Sequence, residues 1–262
     1  MSDMTWQSAG LTNRGLKRLD NQDNYFISAD ERFFVVADGV GGETGGALAS
    51  RLTVETVETM YVATPPDLGN IEDMRAWMVK AVGEANLSVK QAADASTDKK
   101  GMGTTIVMAV LGDNGVLHVA HAGDSRVTLV RAKEAKVLTT DHSVVMEMHL
   151  RGQLTLEQCA VNPYRNLITR CLGHEDDVEV DYGQHNLENG DWFVLCSDGL
   201  SEVVKPPEIA SIIGESDGCA DACEKLLAAV LEGGAPDNVT IITVSLSAIA
   251  SPVVSGAEKT SS

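Results

Sequence analysis

Hydrophobic positions along the chain follow two kinds of spacing, one typical of strands and one typical of helices. Runs of β-type residues over 5–11 and 25–37 predict strands near the N-terminus, and a turn at 29–31 breaks the second run. Apolar residues three or four positions apart then predict two consecutive helices, over 47–62 and 71–95. The chain therefore begins with strands followed by helices and does not alternate between them one by one.

The rest of the chain continues in blocks. Strand signals separated by turn-forming residues fill 104–138, where we expect a meander of antiparallel hairpins. A polar, irregular segment at about 142–170 is expected to be a flap that interrupts the succession of strands. The remaining predicted elements are strands at 178–184, 192–196 and 239–246 and helices at 207–214 and 217–231. Because strands and helices come in separate runs, the pattern predicts an α+β fold with antiparallel sheets.

The length of the chain fits one domain. It has 262 residues, 44% of them hydrophobic, which is enough for a single large core. We expect this domain to cover residues 1–247. Residues 248–262 are small and polar without periodicity, and we expect them to form a disordered tail.

Charge and cysteine content limit the classes of partner and location. The chain carries 20 Lys and Arg residues against 38 Asp and Glu residues, a formal net charge of −18. Such an excess of acid argues against nucleic acid or an anionic membrane as a partner. Its aliphatic runs are far shorter than the roughly 20 residues of a membrane-spanning helix, and residues 1–10 lack a signal-peptide pattern. The five cysteines form no C-x-x-C pair and are expected to be reduced thiols, as in a cytoplasmic protein.

Four aspartates stand where strongly apolar strands end or begin. Asp38 and Asp198 each follow such a strand as part of an Asp-Gly pair, Asp124 lies between two strands, and Asp237 precedes the last one. A single Asp-Gly pair is usually only a turn. Four acids attached to core strands are harder to explain in that way, because crowded carboxylates repel one another unless a cation lies between them. Mg²⁺ and Mn²⁺ are the ions that an all-oxygen site selects, and two of them suit the hydrolysis of a phosphate ester.

Phosphate chemistry also requires a group that holds the phosphoryl oxygens. Arg18, five residues before Asp23, is the candidate, since a guanidinium can bind two phosphate oxygens at once. Taken alone, it would more often be a solvated surface residue.

Two rival phosphate motifs fail because a residue that each requires is replaced by an unsuitable one. The glycine cluster at 39–46 has Ala47 where a nucleotide-binding P-loop needs Lys, and its glycines better suit close passage of the backbone past other groups. Cys159 and Arg165 match the C-x₅-R spacing of cysteine-based phosphatases. However, Pro163 between them lacks the backbone N–H that such a phosphate loop requires.

Six short motifs follow one another along the chain. They are Arg18-x-x-Asn21-Gln22-Asp23, Asp38-Gly39-x-Gly41-Gly42, Met102-Gly103-Thr104-Thr105, Gly123-Asp124-Ser125-Arg126, Ser197-Asp198-Gly199 and Asp237-Asn238. In this order they resemble the metal-dependent serine/threonine protein phosphatases of the PPM, or type-2C, family, and the chain looks most like compact bacterial members over about residues 5–246. The resemblance implies a four-layer α-β-β-α sandwich, in which helices flank two antiparallel sheets and the flap lies beside a metal cleft.

The same resemblance implies roles for individual residues. Asp38 would bridge two metal ions, Asp198 and Asp237 would complete the first, and the carbonyl of Gly39 would ligate the second. Asp124, together with Asp198, matches the positions that hold a third ion in bacterial members.

The resemblance also implies roles for Asp23 and Arg18, and the chain differs from the family pattern at two positions of the same motifs. Asp23 would orient water from behind the metal ligands, and Arg18 would bind the substrate phosphate. Val40 replaces the histidine that animal members use as a general acid, which leaves a metal-bound water or Glu43 as alternative proton donors. Gln22 replaces a glutamate found in many relatives.

The function implied is hydrolysis of phosphoserine and phosphothreonine in proteins by water activated on two or three Mn²⁺ or Mg²⁺ ions. The enzyme would oppose bacterial serine/threonine kinases, with a cognate kinase and its targets as partners, and would be a monomer in the cytoplasm. A catalytically silent module that binds a phosphorylated partner, and an enzyme for small phosphate esters, remain the alternatives.

Overall fold

Two antiparallel sheets pack face to face in the structure, a computed structural model that describes residues 4–95, 101–113 and 115–248. The strands of the first sheet lie in the order β1 (Met4–Asn13), β11 (Val239–Ala248), β10 (Trp192–Cys196), β7 (Arg126–Arg131) and β8 (Glu134–Val137). Those of the second lie in the order β2 (Asp23–Ile27), β3 (Phe33–Val40), β5 (Ile106–Leu111), β6 (Val116–Ala122) and β9 (Asp181–Asn186), and β4 (Gly103–Thr104) pairs with β3.

Helices cover the outer face of each sheet. Long helices α1 (Gly42–Ala63) and α2 (Ile71–Asp94) pack on the second sheet, and α6 (Pro206–Gly214) and α7 (Cys219–Glu232) pack on the first. The short helix α5 (Asp198–Ser201) follows β10 directly. This arrangement confirms the predicted α+β fold, with layers in the order α-β-β-α.

Strand β3 shows why its sequence is apolar without interruption. Side chains alternate along a strand, so Phe33 and Val35 pack under the helices while Phe34 and Val36 face the other sheet. All four are fully buried. Phe34 meets Phe193 of the opposite sheet edge to face, with ring centroids 5.6 Å apart. Both faces of β3 are covered, and its ends are therefore the places where a polar residue can reach solvent.

The prediction of a single meander over 104–138 is wrong at one point. Strand β6 pairs with β5 and β9 in the second sheet, whereas β7 pairs with β10 and β8 in the first. The chain crosses between the sheets at Gly123, whose φ is +120° and where a Cβ atom would lie 2.6 Å from the side chain of Thr105. Only glycine fits this crossing. A pattern of apolar runs does not show such a change of sheet, because both sheets bury the same kinds of side chain.

Other differences concern the limits of elements. Helix α1 begins at residue 42, five positions before the predicted start. Glycine lowers helix propensity, so the sequence pattern does not indicate that the glycines at this end belong to the helix. Strand β9 begins at 181 rather than 178. The segment 142–170, called the flap below, contains the short helices α3 (Val144–Leu150) and α4 (Leu156–Ala160).

The structure describes little of the predicted tail, since residues 249–262 lie outside the described ranges. All five cysteines are unpaired thiols, four of them buried and Cys171 half-buried. No helix in the described ranges combines the length and the apolar character that crossing a membrane requires.

Candidate metal centre

A cleft of about 560 Å³ opens where strand ends of the two sheets meet. Six of the seven predicted site residues line it, namely Arg18, Asp38, Gly39, Asp124, Asp198 and Asp237. The seventh, Asp23, is buried and lies opposite Asp38 in the register of β2 and β3. The structure therefore brings all seven together, although they are spread over some 220 positions of the chain.

Asp38 occupies the end of β3 and is held by its backbone. Its N–H donates to Thr105 Oγ1 at 3.1 Å, and its carbonyl accepts from the N–H of Thr105 and from Thr104 Oγ1, both at 2.8 Å. Burial raises the pKa of the Asp38 carboxyl well above its usual range, and the nearby charge of Asp23 raises it further. The backbone is thus fixed while the carboxylate faces other acids.

The turn after Asp38 brings its backbone against the start of α1. A Cβ atom on Gly39 would lie 2.1 Å from the carbonyl oxygen of Gly46, and one on Gly46 would lie 2.1 Å from Gln22 Oε1. These contacts exclude any side chain at either position. They explain the glycine cluster as a means of close backbone approach beside the cleft.

Asp198 follows β10 and is half-buried at the wall of the cleft. Its Oδ1 atom is buried and accepts no hydrogen bond within the described part of the chain. Burial raises the pKa of Asp198 well above its usual range, and the charges of Asp124 and Asp237 act in the same direction. A buried carboxylate oxygen without a partner costs free energy, so the geometry of Asp198 calls for a cation.

Asp23 and Asp124 are the acids whose charges act on Asp38 and Asp198. Asp23 Oδ2 accepts a hydrogen bond from Ser197 Oγ at 2.7 Å, and Ser197 Oγ accepts from the N–H of Thr240 at 3.0 Å. Burial raises the pKa of Asp23 to about 6, against the opposing effect of the Ser197 hydrogen bond. Burial also raises the pKa of Asp124 to about 7, and the charge of Asp141 adds to that effect.

Arg18 lies at the mouth of the cleft. Its Nη2 donates to Asp237 Oδ2 at 2.6 Å, and its side chain is 56% exposed. Arg18 and Lys17 are the basic residues among the cleft's described lining, against five aspartates. Two cations, both at the mouth, do not neutralise the half-buried acids Asp38 and Asp198. The set of oxygen donors therefore fits hard divalent cations.

One residue that the sequence analysis left without a role is Asn238. Its Oδ1 accepts from the N–H of Gln22 at 2.9 Å, while its Nδ2 donates to the carbonyls of Arg14 and Asp20 at 2.9 and 2.8 Å. Asn238 thereby fixes both sides of the loop that carries Arg18. Its place directly after Asp237 in a motif was the available signal, but the contacts span more than 200 positions.

The rival cysteine motif does not form a phosphate site. Cys159 is buried and its Sγ donates to the carbonyl of Val145 at 3.2 Å, while Arg165 lies 3.8 Å from Glu202. The alternative proton donor Glu43 lies outside the residues whose side chains the structure describes.

A second cavity, of about 330 Å³, adjoins the cleft. Asp124 and Asp198 line both spaces, and the flap contributes Val145, Met146 and Cys159 to the wall of the second. The flap is thus in contact with the space beside the acid cluster.

Comparisons with known proteins agree with this geometry. The sequence model of the family described as protein phosphatase 2C matches residues 14–232. Protein phosphatase PhpP of Streptococcus pneumoniae is 35% identical over 239 residues, which cover 90% of this chain and 96% of PhpP.

Two solved structures show the same fold. The serine/threonine phosphatase of S. agalactiae superposes with a TM-score of 0.85 at 34% identity, over 92% of this chain and 99% of that one. The catalytic domain of the serine/threonine protein phosphatase PstP, solved in complex with two manganese ions, gives a TM-score of 0.82 at 30% identity and covers 94% of this chain and all of its own.

Proposed function

The chain belongs to the protein phosphatase 2C family, and from this membership we propose which of its residues perform the family's metal-dependent hydrolysis. It is a protein-serine/threonine phosphatase, which removes phosphate from phosphorylated proteins. The observation that carries the assignment of residues is the buried Oδ1 of Asp198, which has no partner among the described residues, in a cluster with Asp38 and other acids whose neighbouring cations Arg18 and Arg126 are already bonded to Asp237 and Asp141.

Asp38, Asp198 and Asp237, with the carbonyl oxygen of Gly39, would hold two divalent ions. Two manganese ions in the PstP structure support this number. A third ion would lie against Asp124 and Asp198, since both line the same two spaces and the pKa of Asp124 is raised. The chemistry that Mn²⁺ or Mg²⁺ supplies in such a site is Lewis acidity toward phosphoryl oxygens and a lower pKa for water.

The remaining residues orient water and substrate. Ser197 holds Oδ2 of Asp23, which leaves Oδ1, buried and without a hydrogen bond in the described part of the chain, to accept a hydrogen bond from a water molecule and so orient it. Arg18 is half-exposed and bound to Asp237 through a single nitrogen. We propose that its guanidinium turns from Asp237 to the substrate phosphate, which presents paired oxygens to it.

The flap is placed to influence the choice of protein substrate. It forms part of the cavity beside the acid cluster, and it exposes large apolar side chains, which are common at sites of protein contact. These are Leu150, Leu156, Val161, Tyr164 and Leu167. A small phosphate ester would not reach them.

Partners and location follow from the same function. We propose that the substrates are targets of a bacterial serine/threonine kinase, and the kinase itself, and that the enzyme acts as a monomer in the cytoplasm. The unpaired state of all five cysteines supports a reducing compartment. Retention of every expected metal carboxylate gives no support to a catalytically silent binding module.

The test is hydrolysis of a phosphothreonine peptide by the purified protein with Mn²⁺, with a chelator, and after Asp38→Asn. We expect activity that requires Mn²⁺ and is lost in the variant. Asp113→Asn is the matched control, since Asp113 is exposed and pairs with Arg32 in the turn after β5. Activity that survives chelation and Asp38→Asn but disappears with Cys159→Ser would overturn the proposal. Binding of the peptide without turnover would favour the silent module, and a higher kcat/KM for small esters would reassign the substrate.

A further inference from the structure

His142, the first residue of the flap, makes a reciprocal contact with the turn that carries Asp124. Its ring Nδ1 accepts a hydrogen bond from the N–H of Gly123 at 3.0 Å, and its own N–H donates to the Gly123 carbonyl at 3.0 Å. Because Nδ1 accepts, the proton of the neutral ring is on Nε2. The backbone of the residue next to Asp124 is therefore held from both sides by one histidine.

The opposite edge of the same ring meets the other end of the flap. Arg170 Nη1 lies 3.0 Å and Asp181 Oδ2 lies 3.3 Å from Nε2, and Arg170 Nη1 also donates to Asp181 Oδ1 at 2.7 Å. Because Nε2 carries the proton, it faces Asp181 as a donor, and Arg170 is joined to the ring through that carboxylate. Thr169, just before Arg170, donates its N–H to the carbonyl of His142 at 2.7 Å. Both ends of the flap, at 142 and 170, are thus joined at the His142 ring and at Asp181 of β9.

A second histidine fixes the plane of this ring. His121 stacks on His142 with centroids 4.7 Å apart and planes 2° from parallel, and its Nε2 lies 2.9 Å from the carbonyl oxygen of Thr140. Ligand atoms of His121, His142 and Asp181 lie within 4.8 Å of one another. They are nevertheless unsuited to a shared metal ion, because the in-plane lone pairs of parallel stacked rings do not converge and Arg170 already neutralises Asp181.

From Gly123 the contacts continue to the acid cluster. Ser125, two residues later, shares a hydrogen bond of 2.7 Å with Thr105 Oγ1, which also accepts the N–H of Asp38. The turn 123–125 is therefore bonded to the base of the flap on one side and to the backbone of Asp38 on the other. Asp124 projects from the middle of this turn into the cleft wall.

We propose that His142 is a positioning residue, which holds the turn of Asp124 through Nδ1 and joins the two ends of the flap through Nε2. The proposal deepens the proposed function and rests on it where Asp124 is taken as a metal ligand. Its consequence is that a movement at the base of the flap changes the direction of the Asp124 carboxylate. Binding of a protein substrate at the flap would therefore change the binding of the metal ion at Asp124.

Two substitutions separate the two edges of the ring. In His142→Asn the side-chain oxygen can take the place of Nδ1, because both lie two bonds beyond Cβ. In His142→Gln the amide group can take the place of Nε2, but nothing replaces Nδ1. His118→Gln is the matched control, since His118 is also buried on β6 but bonds to Tyr182 instead of the turn.

The first readout is amide hydrogen exchange of Gly123 in the metal-free protein, which does not depend on activity. We expect His142→Gln to speed exchange by about fivefold or more, the effect of one lost hydrogen bond, while His142→Asn and His118→Gln keep the protection of the wild type. In calorimetric Mn²⁺ titrations, His142→Gln should lower the affinity for the same Mn²⁺ ion whose binding Asp124→Asn also weakens. Equal protection of Gly123 in His142→Asn and His142→Gln, or an unchanged Mn²⁺ titration in His142→Gln, would overturn the proposal.

The second readout is the pattern of kinetic constants. His142→Asn, which loses the Nε2 edge, should raise KM for a phosphopeptide severalfold while KM for a small phosphate ester and kcat stay near those of the wild type. Asp181→Asn should do the same, and because its side chain is 44% exposed it is expected to fold even if the His142 variants do not. An equal change of both KM values would contradict the link to the flap. Failure of the proposed function itself would appear separately, as activity that survives Asp38→Asn.

Discussion

The two ends of strand β10 show two treatments of a buried aspartate. Asp191, just before the strand, is 1% exposed and accepts hydrogen bonds from Arg131 Nε and Nη2 at 2.8 and 2.6 Å and from the N–H of Glu188 at 2.7 Å. Asp198, just after the strand, is half-buried beside Asp124 and Asp237 and has one buried oxygen, Oδ1, without a hydrogen bond in the described part of the chain. The first acid is neutralised by Arg131, whereas the second keeps an oxygen without a partner in the described part of the chain, which we propose binds a cation.

The largest effect that this comparison predicts is on catalysis. Asp198→Asn removes a charge that we assign to the metal ions, and we expect kcat/KM for a phosphopeptide to fall by about a thousandfold, as for loss of a main electrostatic group in an active site. Asp191→Asn should retain activity in whatever fraction remains folded. Steady-state kinetics on both variants, corrected for the folded fraction by circular dichroism, measure the two values of kcat/KM. An equal loss of kcat/KM in both variants would contradict the difference between the two acids.

The same two variants should have opposite effects on the stability of the metal-free protein. Asp191→Asn leaves Arg131 with only the exposed carboxylate of Glu188 and should destabilise the fold by about 2–3 kcal/mol, less than for a fully buried pair because Arg131 is partly exposed. Asp198→Asn removes repulsion among buried acids and should stabilise it by about 1 kcal/mol. Urea unfolding measures both, and a lower stability of Asp198→Asn would contradict the picture of mutual repulsion.

Added Mn²⁺ should stabilise one end of the strand only. A ligand present at a hundred times its dissociation constant stabilises the folded state by about 2.7 kcal/mol. We therefore expect Mn²⁺ to raise the melting temperature of the wild type and of Asp191→Asn but much less that of Asp198→Asn. A shift of equal size in all three proteins would place the ions elsewhere.

A smaller effect is expected from pH in the absence of metal. The pKa of Asp124 is about 7 in the folded protein and near 3.9 when unfolded, so the folded state binds this proton more tightly. The stability it contributes is complete below pH 4 and is lost as pH rises toward 7, by up to about 1.4 kcal/mol per pH unit. The wild type should therefore lose more stability than Asp124→Asn between pH 5 and 7.

The difference between these two proteins is the quantity to measure, because the buried histidines act in the opposite direction. Burial lowers the pKa of His118, His121 and His142, and their contribution is lost as pH falls. Parallel pH profiles for the wild type and Asp124→Asn in urea unfolding would exclude a strongly raised pKa at Asp124.

Local sequence was sufficient for the features that depend on neighbours in the chain. Strand β10 has the limits that its apolar run predicts, and Asp198 follows it as expected, whereas β3 continues past the predicted end at residue 37 to Val40 and includes Asp38. A buried strand must reach its end before a carboxylate can face solvent or a metal. The acids near strand ends were therefore visible as candidates, and the family resemblance implied that they share one centre, in agreement with the cleft that they all line.

Contacts between distant segments were not visible in the same way. The crossing at Gly123 needs the side chain of Thr105 to explain it, and the role of Asn238 depends on carbonyls more than 200 positions away. The ring of His142 bonds to Gly123 and approaches Asp181, and no periodicity in the sequence connects these positions. Such hydrogen bonds are decided by tertiary packing, which a hydrophobic pattern specifies only by layer.

The metal assignment of the acid cluster is tested most directly by an anomalous difference map, at the manganese absorption edge, from crystals grown with MnCl₂. If the acid cluster holds the metal ions, we expect peaks in the cleft against Asp38, Asp198 and Asp237, and none at Asp191. No peak in the cleft, or a main peak between His121, His142 and Asp181, would contradict the assignment of the acid cluster as the metal centre.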